Sequence, residues 1–289
     1  MTTALIMEGG AMRGMFTAGV TDVMMREGIT YDMAVGVSAG AAFGCNYKSR
    51  QPGRALRYNK RFAKDPRYCS IRSLIKTGDL YGADFCYHEL PETLDPFDVA
   101  AYRANPMAFY VVATDAKTGR PVYHRCDLGD GEDLEWFRAS ASMPLVSRPV
   151  LIDDMALLDG GIADPIPLKW AEAQGTTRNV VILTQPAAYR KDRQSGLGGF
   201  DALLKDYPVV ARAMRFRHIL YNALVRDVVR KEREGKVFVI RPKDVLPIGR
   251  VSHDPRKLQT VYDLGVAEME ENLSALKAFL AKDADRLAV

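Results

Sequence analysis

A strand, a helix and a second strand fit within the first 37 residues, and this unit constrains the fold more than anything else in the chain. Ala4 to Met7 is a short apolar run ending in Glu8-Gly9-Gly10, which reads as a buried strand entering a glycine turn. Met12 to Arg26 carries apolar residues at helical spacing (Met12, Phe16, Val20, Val23 and Met24), and Gly28 stops it. Met33 to Val37 is a second apolar strand. Two strands joined through a helix pair in parallel with a right-handed crossover, so the chain is committed to an α/β layered fold from its start.

The rest of the sequence continues the alternation. Residues 54–104 read as mostly helical and irregular, punctuated by Pro66, Gly78, Gly82, Pro91 and Pro96. Residues 107–114 and 121–125 read as a hairpin turning at Thr118-Gly119, and residues 133–142 as a helix ahead of Pro144. Two short strands flank Asp153-Asp154. A helix is expected over 165–174, with Asp164 at its N-cap and Pro165 at its first position. A buried strand follows at 179–184. Then come a polar, glycine-bearing loop over 185–200, a long helical tract over 201–234 interrupted at Pro208, a strand at 237–241 and a helix over 255–282. The expected class is α/β, three-layer α/β/α with a mainly parallel central sheet. The expected division is a catalytic domain over 1–185 and a mainly helical region with one strand over 186–289, packed on the same domain.

Composition sets bounds. The 289 residues are 47% hydrophobic and 26% charged, with a net charge of +4, which gives no signal for nucleic acid. Cys45, Cys69, Cys86 and Cys126 lack a C-x-x-C spacing, which argues against a zinc site and a disulfide framework and suits a reducing cytoplasm. The first seven residues have no basic segment ahead of a long apolar run, so no signal peptide is expected, and no stretch of about 18 apolar residues suits a membrane span. Contact with lipid, if made, would be peripheral.

Three motifs carry chemistry. Gly36-Val37-Ser38-Ala39-Gly40 is a G-x-S-x-G pattern lying between a strand and a small-residue helix start, where a serine is held exposed on a sharp turn. The bare pattern occurs by chance in about one chain in ten of this length, so its context decides. Glu8-Gly9-Gly10-Ala11-Met12-Arg13-Gly14 is a glycine loop at a helix start, able to converge N–H groups on an anion, either a phosphate or an oxyanion. No nucleotide-binding pattern supports the phosphate alternative. Asp159-Gly160-Gly161 follows an apolar run and reads by itself as a turn. Of His88, His124, His218 and His253, only His253 is placed for a Ser…Asp…His order. An ordinary α/β-hydrolase has several strands ahead of its serine; here only one precedes Ser38.

The glycine loop and the serine elbow on the first two strands, with Asp159-Gly160-Gly161 later, resemble the patatin-like phospholipase family, whose loop reads Asp-Gly-Gly-Gly-x-Arg-Gly. Ala139-Ser140-Ala141-Ser142-Met143-Pro144 is similar to the family's block ahead of the aspartate. Glu8 stands where the family has Asp, and Ala11 where it has a third glycine. The likeness covers about residues 4–185. It implies a serine acyl hydrolase of phospholipid or lysophospholipid esters, without metal or cofactor. Ser38 would be the nucleophile and Asp159 its base. The N–H groups of Gly9, Gly10 and Ala11 would form the oxyanion hole, with Arg13, Gly14, Gly36, Gly40, Gly160 and Gly161 in support. A direct Ser–Asp pair requires a buried Asp159 within hydrogen-bond reach of Ser38, because a free aspartate is a weak base. The expected partner is a lipid or acyl-ester substrate. The basic tract 205–236 is either a membrane-facing stretch or the solvated face of a core helix, and residues 186–200 suit a lid. A triad through His253 and a non-catalytic lipid- or anion-binding protein are the alternatives. Oligomeric state has no signal in the sequence.

Overall fold

The computed structural model describes residues 2–193 and 204–281. In chain order the elements are β1 (Thr3–Met7), α1 (Gly14–Arg26), β2 (Met33–Val37), α2 (Ala39–Lys48), α3 (Arg54–Arg61), α4 (Ile71–Thr77), a π-helical segment (Phe85–Leu94), α5 (Val99–Ala104), β3 (Ala108–Asp115), β4 (Pro121–Arg125), α6 (Gly131–Ala141), β5 (Val150–Ile152), β6 (Met155–Asp159), α7 (Leu168–Ala173), β7 (Arg178–Ile182), α8 (Pro208–Arg233), β8 (Val237–Ile240) and α9 (Pro255–Ala281).

The strands form one sheet in the order β5-β6-β3-β2-β1-β7-β8, with β4 also pairing to β3. Its centre is parallel (β3, β2, β1, β7 and β8), and its margin is antiparallel, through β3/β4, β3/β6 and β5/β6. The central strands are mostly apolar because both faces are covered. Leu5 and Met7 of β1 join the core that holds Phe16, Phe43 and Leu258, beneath α1, α2 and α9. Ala4 and Ile6 point the other way, into the core with Leu168, Ala171, Tyr221 and Val225 of α7 and α8. This is the three-layer arrangement expected for the alternating sequence.

Two local expectations change. The helix after Asp164 starts at Leu168, not at Pro165. The Asp164 carboxylate accepts a hydrogen bond from the Tyr123 hydroxyl at 2.7 Å and is engaged by the Ile166 backbone, so it closes a proline-bounded turn instead of capping a helix. In the tract 201–234, Pro208 begins α8 at its first turn, where its missing N–H has no partner to lose. Of the expected loop 185–200, residues 194–200 lie outside the described residues, as does 201–203 of the long tract. No described helix is long and apolar enough to cross a membrane.

Sheet register brings two distant segments together. Val37, the last residue of β2, is paired with Val112 of β3, and Asp159, the last residue of β6, is paired with Ala113 of the same strand. Because β2 is parallel and β6 antiparallel to β3, their carboxyl ends meet at neighbouring β3 residues.

Candidate active site

Ser38 stands at that junction with φ +54° and ψ −121°, a conformation that L-residues avoid. It is the residue before α2, whose first N–H groups at Ala41 and Ala42 bond to the Ser38 carbonyl. The flanking glycines have no room for a side chain. A Cβ on Gly40 would lie 2.3 Å from the Met7 carbonyl oxygen, and one on Gly36 would lie 2.6 Å from the Ala41 nitrogen. The Ser38 N–H donates to Ser140 Oγ at 2.8 Å, and Ser140 donates to the Val112 carbonyl at 2.6 Å. Ser140 lies in the block 139–144, so its segment was visible in the sequence although its contact was not.

Asp159 is 2% exposed. Its carboxylate accepts from the Gly161 N–H at 2.7 Å, and the Ser38 hydroxyl beside it favours its charged form. Burial pushes this carboxyl above the usual range, and Arg217, the Ser38 hydroxyl, the Gly161 N–H and Arg250 partly counter it. Gly160 lies where a Cβ would be 2.1 Å from the Val112 carbonyl oxygen. That contact requires glycine and keeps the aspartate against β3.

The glycine loop completes the site. Ala11 takes φ +50°, the left-handed conformation that the substitution of a third glycine required. Among the described residues, the N–H groups of Gly9, Gly10 and Ala11 meet no protein acceptor, whereas Arg13 N–H bonds to the Gly10 carbonyl at 3.1 Å. A Cβ on Gly9 would stand 2.8 Å from the Ser38 Cβ, so this backbone lies directly against the serine. Gly14 packs likewise on Ala39 and Phe43. Glu8 holds the loop from below. One of its oxygens accepts from the Thr184 N–H at 2.6 Å and hydroxyl at 3.1 Å, and the other accepts from the Tyr221 hydroxyl at 2.7 Å. The longer acid thereby ties β1 to β7 and α8.

Ser38, Asp159, the loop and Arg13 line one cleft of about 410 Å³. Part of its wall is apolar and aromatic, with Phe43, Tyr58, Tyr87, Leu90, Leu134 and Phe137. None of the four histidines lines it. His253 Nδ1 lies 2.6 Å from the Ala63 carbonyl oxygen instead. Lys191, Arg217 and Arg250 do line it; sequence reasoning placed Lys191 only in the candidate lid 186–200 and assigned Arg217 and Arg250 no role in the site. Arg217 falls in the basic tract 205–236; α8 buries Val210, Met214, Tyr221, Val225 and Val228 on the sheet and points Arg217 at Asp159.

Among the described residues, one group outside the cleft has metal-ligand types: His124, Cys126 and Asp133, with ligand atoms within 4.8 Å of one another. Its Asp133 and His124 are already engaged. Asp133 accepts from the Leu128 and Gly129 N–H groups at 2.8 and 2.5 Å, and the His124 ring stacks on Trp136 at 3.9 Å. These contacts account for the cluster as packing.

Comparison with known proteins bears on the family of the chain. The family description "Patatin-like phospholipase" matches residues 5–171, and a domain of unknown function, DUF6363, matches residues 207–281. An uncharacterized Escherichia coli protein, YjjU, is 34% identical over 194 residues, 64% of this chain and 52% of that protein. Lysophospholipase nte1 of Aspergillus oryzae is 21% identical over 294 residues, 96% of this chain but 18% of that protein. The chain thus spans about half the first relative and under a fifth of the second. The crystal structure of VipD from Legionella pneumophila aligns with 95% of this chain and 67% of that chain at 11% identity and a TM-score of 0.48.

Proposed function

Because the chain belongs to the patatin-like phospholipase family, we propose that it is a serine acyl hydrolase that cleaves fatty-acyl esters with Ser38 and Asp159 as its catalytic pair. The Ser38 hydroxyl next to a buried Asp159 carboxylate, beside a loop whose N–H groups meet no protein acceptor among the described residues, is the observation that supports this reading best. Ser38 Oγ attacks the ester carbonyl as its proton passes to Asp159. The oxyanion that forms rests on the N–H groups of Gly9, Gly10 and Ala11, donors fixed in place before the reaction. Collapse expels the alcohol, which takes the proton from Asp159. Water then attacks the acyl-serine with Asp159 again accepting a proton; the Ser38 Oγ–acyl bond breaks, that proton returns to Ser38 Oγ, and the fatty acid leaves. The apolar wall suits the acyl chain. The name of the Aspergillus relative favours a lysophospholipid-type ester.

Peripheral contact with an anionic lipid surface belongs to the same reading, and α4 is its best support. Its Ile71 and Ile75 are 72% and 82% exposed, with Arg72 and Lys76 exposed beside them. The Ser70 N–H donates to the Leu80 carbonyl, and the Leu80 N–H to the Val146 carbonyl, which ties this helix to residues that line the cleft.

Labelling with a fluorophosphonate tests the chemistry. The reagent should modify the wild-type protein stoichiometrically, should leave Ser38→Ala unlabelled, and should label His253→Ala as fast as wild type. An unlabelled wild-type protein would mean a binding protein without an activated serine. Loss of labelling in His253→Ala would instead favour the triad.

A further inference from the structure

Four cations surround the glycine loop within the cleft, and they come from four separate segments. Arg13 belongs to the turn leading into α1. Lys191 follows β7, where its N–H donates to Asn222 Oδ1 and its carbonyl accepts from Asn222 Nδ2, both at 2.9 Å. Its ammonium sits 4.7 Å above the Tyr221 ring. Arg217, on α8, donates from Nε to the Gly161 carbonyl at 2.7 Å. Arg250 follows β8, and its carbonyl accepts the Met12 N–H at 3.4 Å. Each is therefore anchored close to the loop or to Asp159-Gly160-Gly161.

None of these charges is neutralised by a close ion pair. Among the described residues none of the four forms an ion pair within 4 Å, and Arg13 Nε is buried without a hydrogen-bond partner. The other cations lining the cleft differ: Arg54 pairs with Asp95 at 3.4 Å and Arg138 with Glu135 at 2.7 Å. Two carboxylates face the cluster. Glu8 is engaged by Thr184 and Tyr221, and Asp159 by Ser38 and Gly161. The formal surplus is two positive charges. The crowding is felt at Lys191, whose pKa is pushed down to about 8 by burial first and then by Arg217 and Arg250, against a smaller opposing pull from Glu8. Like charges held together in a partly buried cleft oppose one another, and a multiply charged oxyanion shared among them reverses that sign. Guanidinium groups match phosphate oxygens in pairs.

Resting on the hydrolase reading, we infer that Arg13, Lys191, Arg217 and Arg250 form a phosphate-binding subsite beside Ser38, which holds the phosphate of a single-chain acyl ester while the apolar wall takes its chain. The subsite makes a phosphate-bearing ester a better ligand than a neutral one of equal chain length.

The test uses Ser38→Ala protein, so that binding is read without turnover. Isothermal titration compares decanoyl lysophosphatidate with monodecanoylglycerol below their critical micelle concentrations. The lysophosphatidate should bind at least 10-fold more tightly, and Lys191→Met and Arg250→Gln, each added to Ser38→Ala, should each cut that ratio at least 3-fold. Equal affinities in the parent, or a ratio that neither substitution moves, overturns the subsite. Inorganic phosphate supplies the second arm: competition with lysophosphatidate at millimolar concentration supports a site that reads the phosphate itself, and phosphate binding without any preference between the two lipids overturns its assignment to the ester. If the subsite discriminates in Ser38→Ala while wild-type protein hydrolyses neither ester, the hydrolase reading fails and the subsite stands.

Discussion

At Asp159 two requirements oppose each other. A base that takes a serine proton directly gains from a raised pKa, yet must be ionised when the ester arrives. Burial raises it, and Arg217 is the largest influence in the other direction. The sign for stability follows. A carboxyl whose folded pKa lies above its unfolded value binds its proton more tightly in the folded state, so ionising it lowers stability as pH rises from about 3.8 through the raised value. The site therefore works against folding at neutral pH. Ser38 adds backbone strain of about 1–3 kcal/mol. The same shift governs rate. With a neutral chromogenic ester, kcat/KM should fall on acidification along a limb above 3.8, because only the ionised carboxylate accepts the proton. Arg217→Gln removes the main influence holding that limb down and should move it to higher pH. A full pH profile of both proteins checks this; a limb at the ordinary carboxylate position, or one that Arg217→Gln leaves in place, would sink the assignment of Asp159 as base.

Among the elements, α4 makes the sharpest prediction, because none of its residues is buried although two are isoleucines. If α4 rests on lipid, Ile71→Ser with Ile75→Ser should lower binding to anionic vesicles about 10-fold or more, since each buried side chain is worth about 1.5–3 kcal/mol. Flotation with vesicles would show it, and Tm should be unchanged. Unaltered binding would remove α4 from the interface. The elements also show what a sequence discloses. The first βαβ unit, the serine elbow and the β3–β4 hairpin were legible because period, glycine and apolar runs are local signals. Asp164 misled because a cap and a turn use the same residue types, and only the distant Tyr123 hydroxyl decides between them. Arg217 was hidden for a different reason. Periodicity gives the apolar face of α8 but not what stands opposite each polar residue, and Lys191 and Arg250 reach the cleft from loops whose course is set by long-range contacts. The meeting of Ser38 and Asp159 depends on register across β3, which no local pattern encodes.

Across the whole molecule, the C-terminal segment, which matches a domain of unknown function, is built into the same sheet and helix layers that carry Ser38. β8 extends the sheet from β7, and α9 lies along α1. That crossing is close enough to exclude side chains: a Cβ on Gly19 would stand 2.2 Å from the Tyr262 carbonyl oxygen, and one on Gly265 would stand 2.1 Å from that of Phe16. Both obstacles are backbone, so neither can swing aside. Since α1 begins at Gly14, its axis sets where Arg13 and the glycine loop meet Ser38. Gly265→Ala should therefore do two things at once. It should destabilise the protein by about 1–3 kcal/mol, the usual cost of overpacking, and it should slow fluorophosphonate labelling of Ser38 although Gly265 does not line the cleft. Chemical denaturation followed by fluorescence and by far-ultraviolet circular dichroism should give coincident transitions shifted to lower denaturant. Two separate transitions, or destabilisation with labelling at the wild-type rate, would mean that α9 stabilises the fold without positioning the loop. Coincident loss of both would mean that residues 255–281 act on Ser38 through the axis of α1.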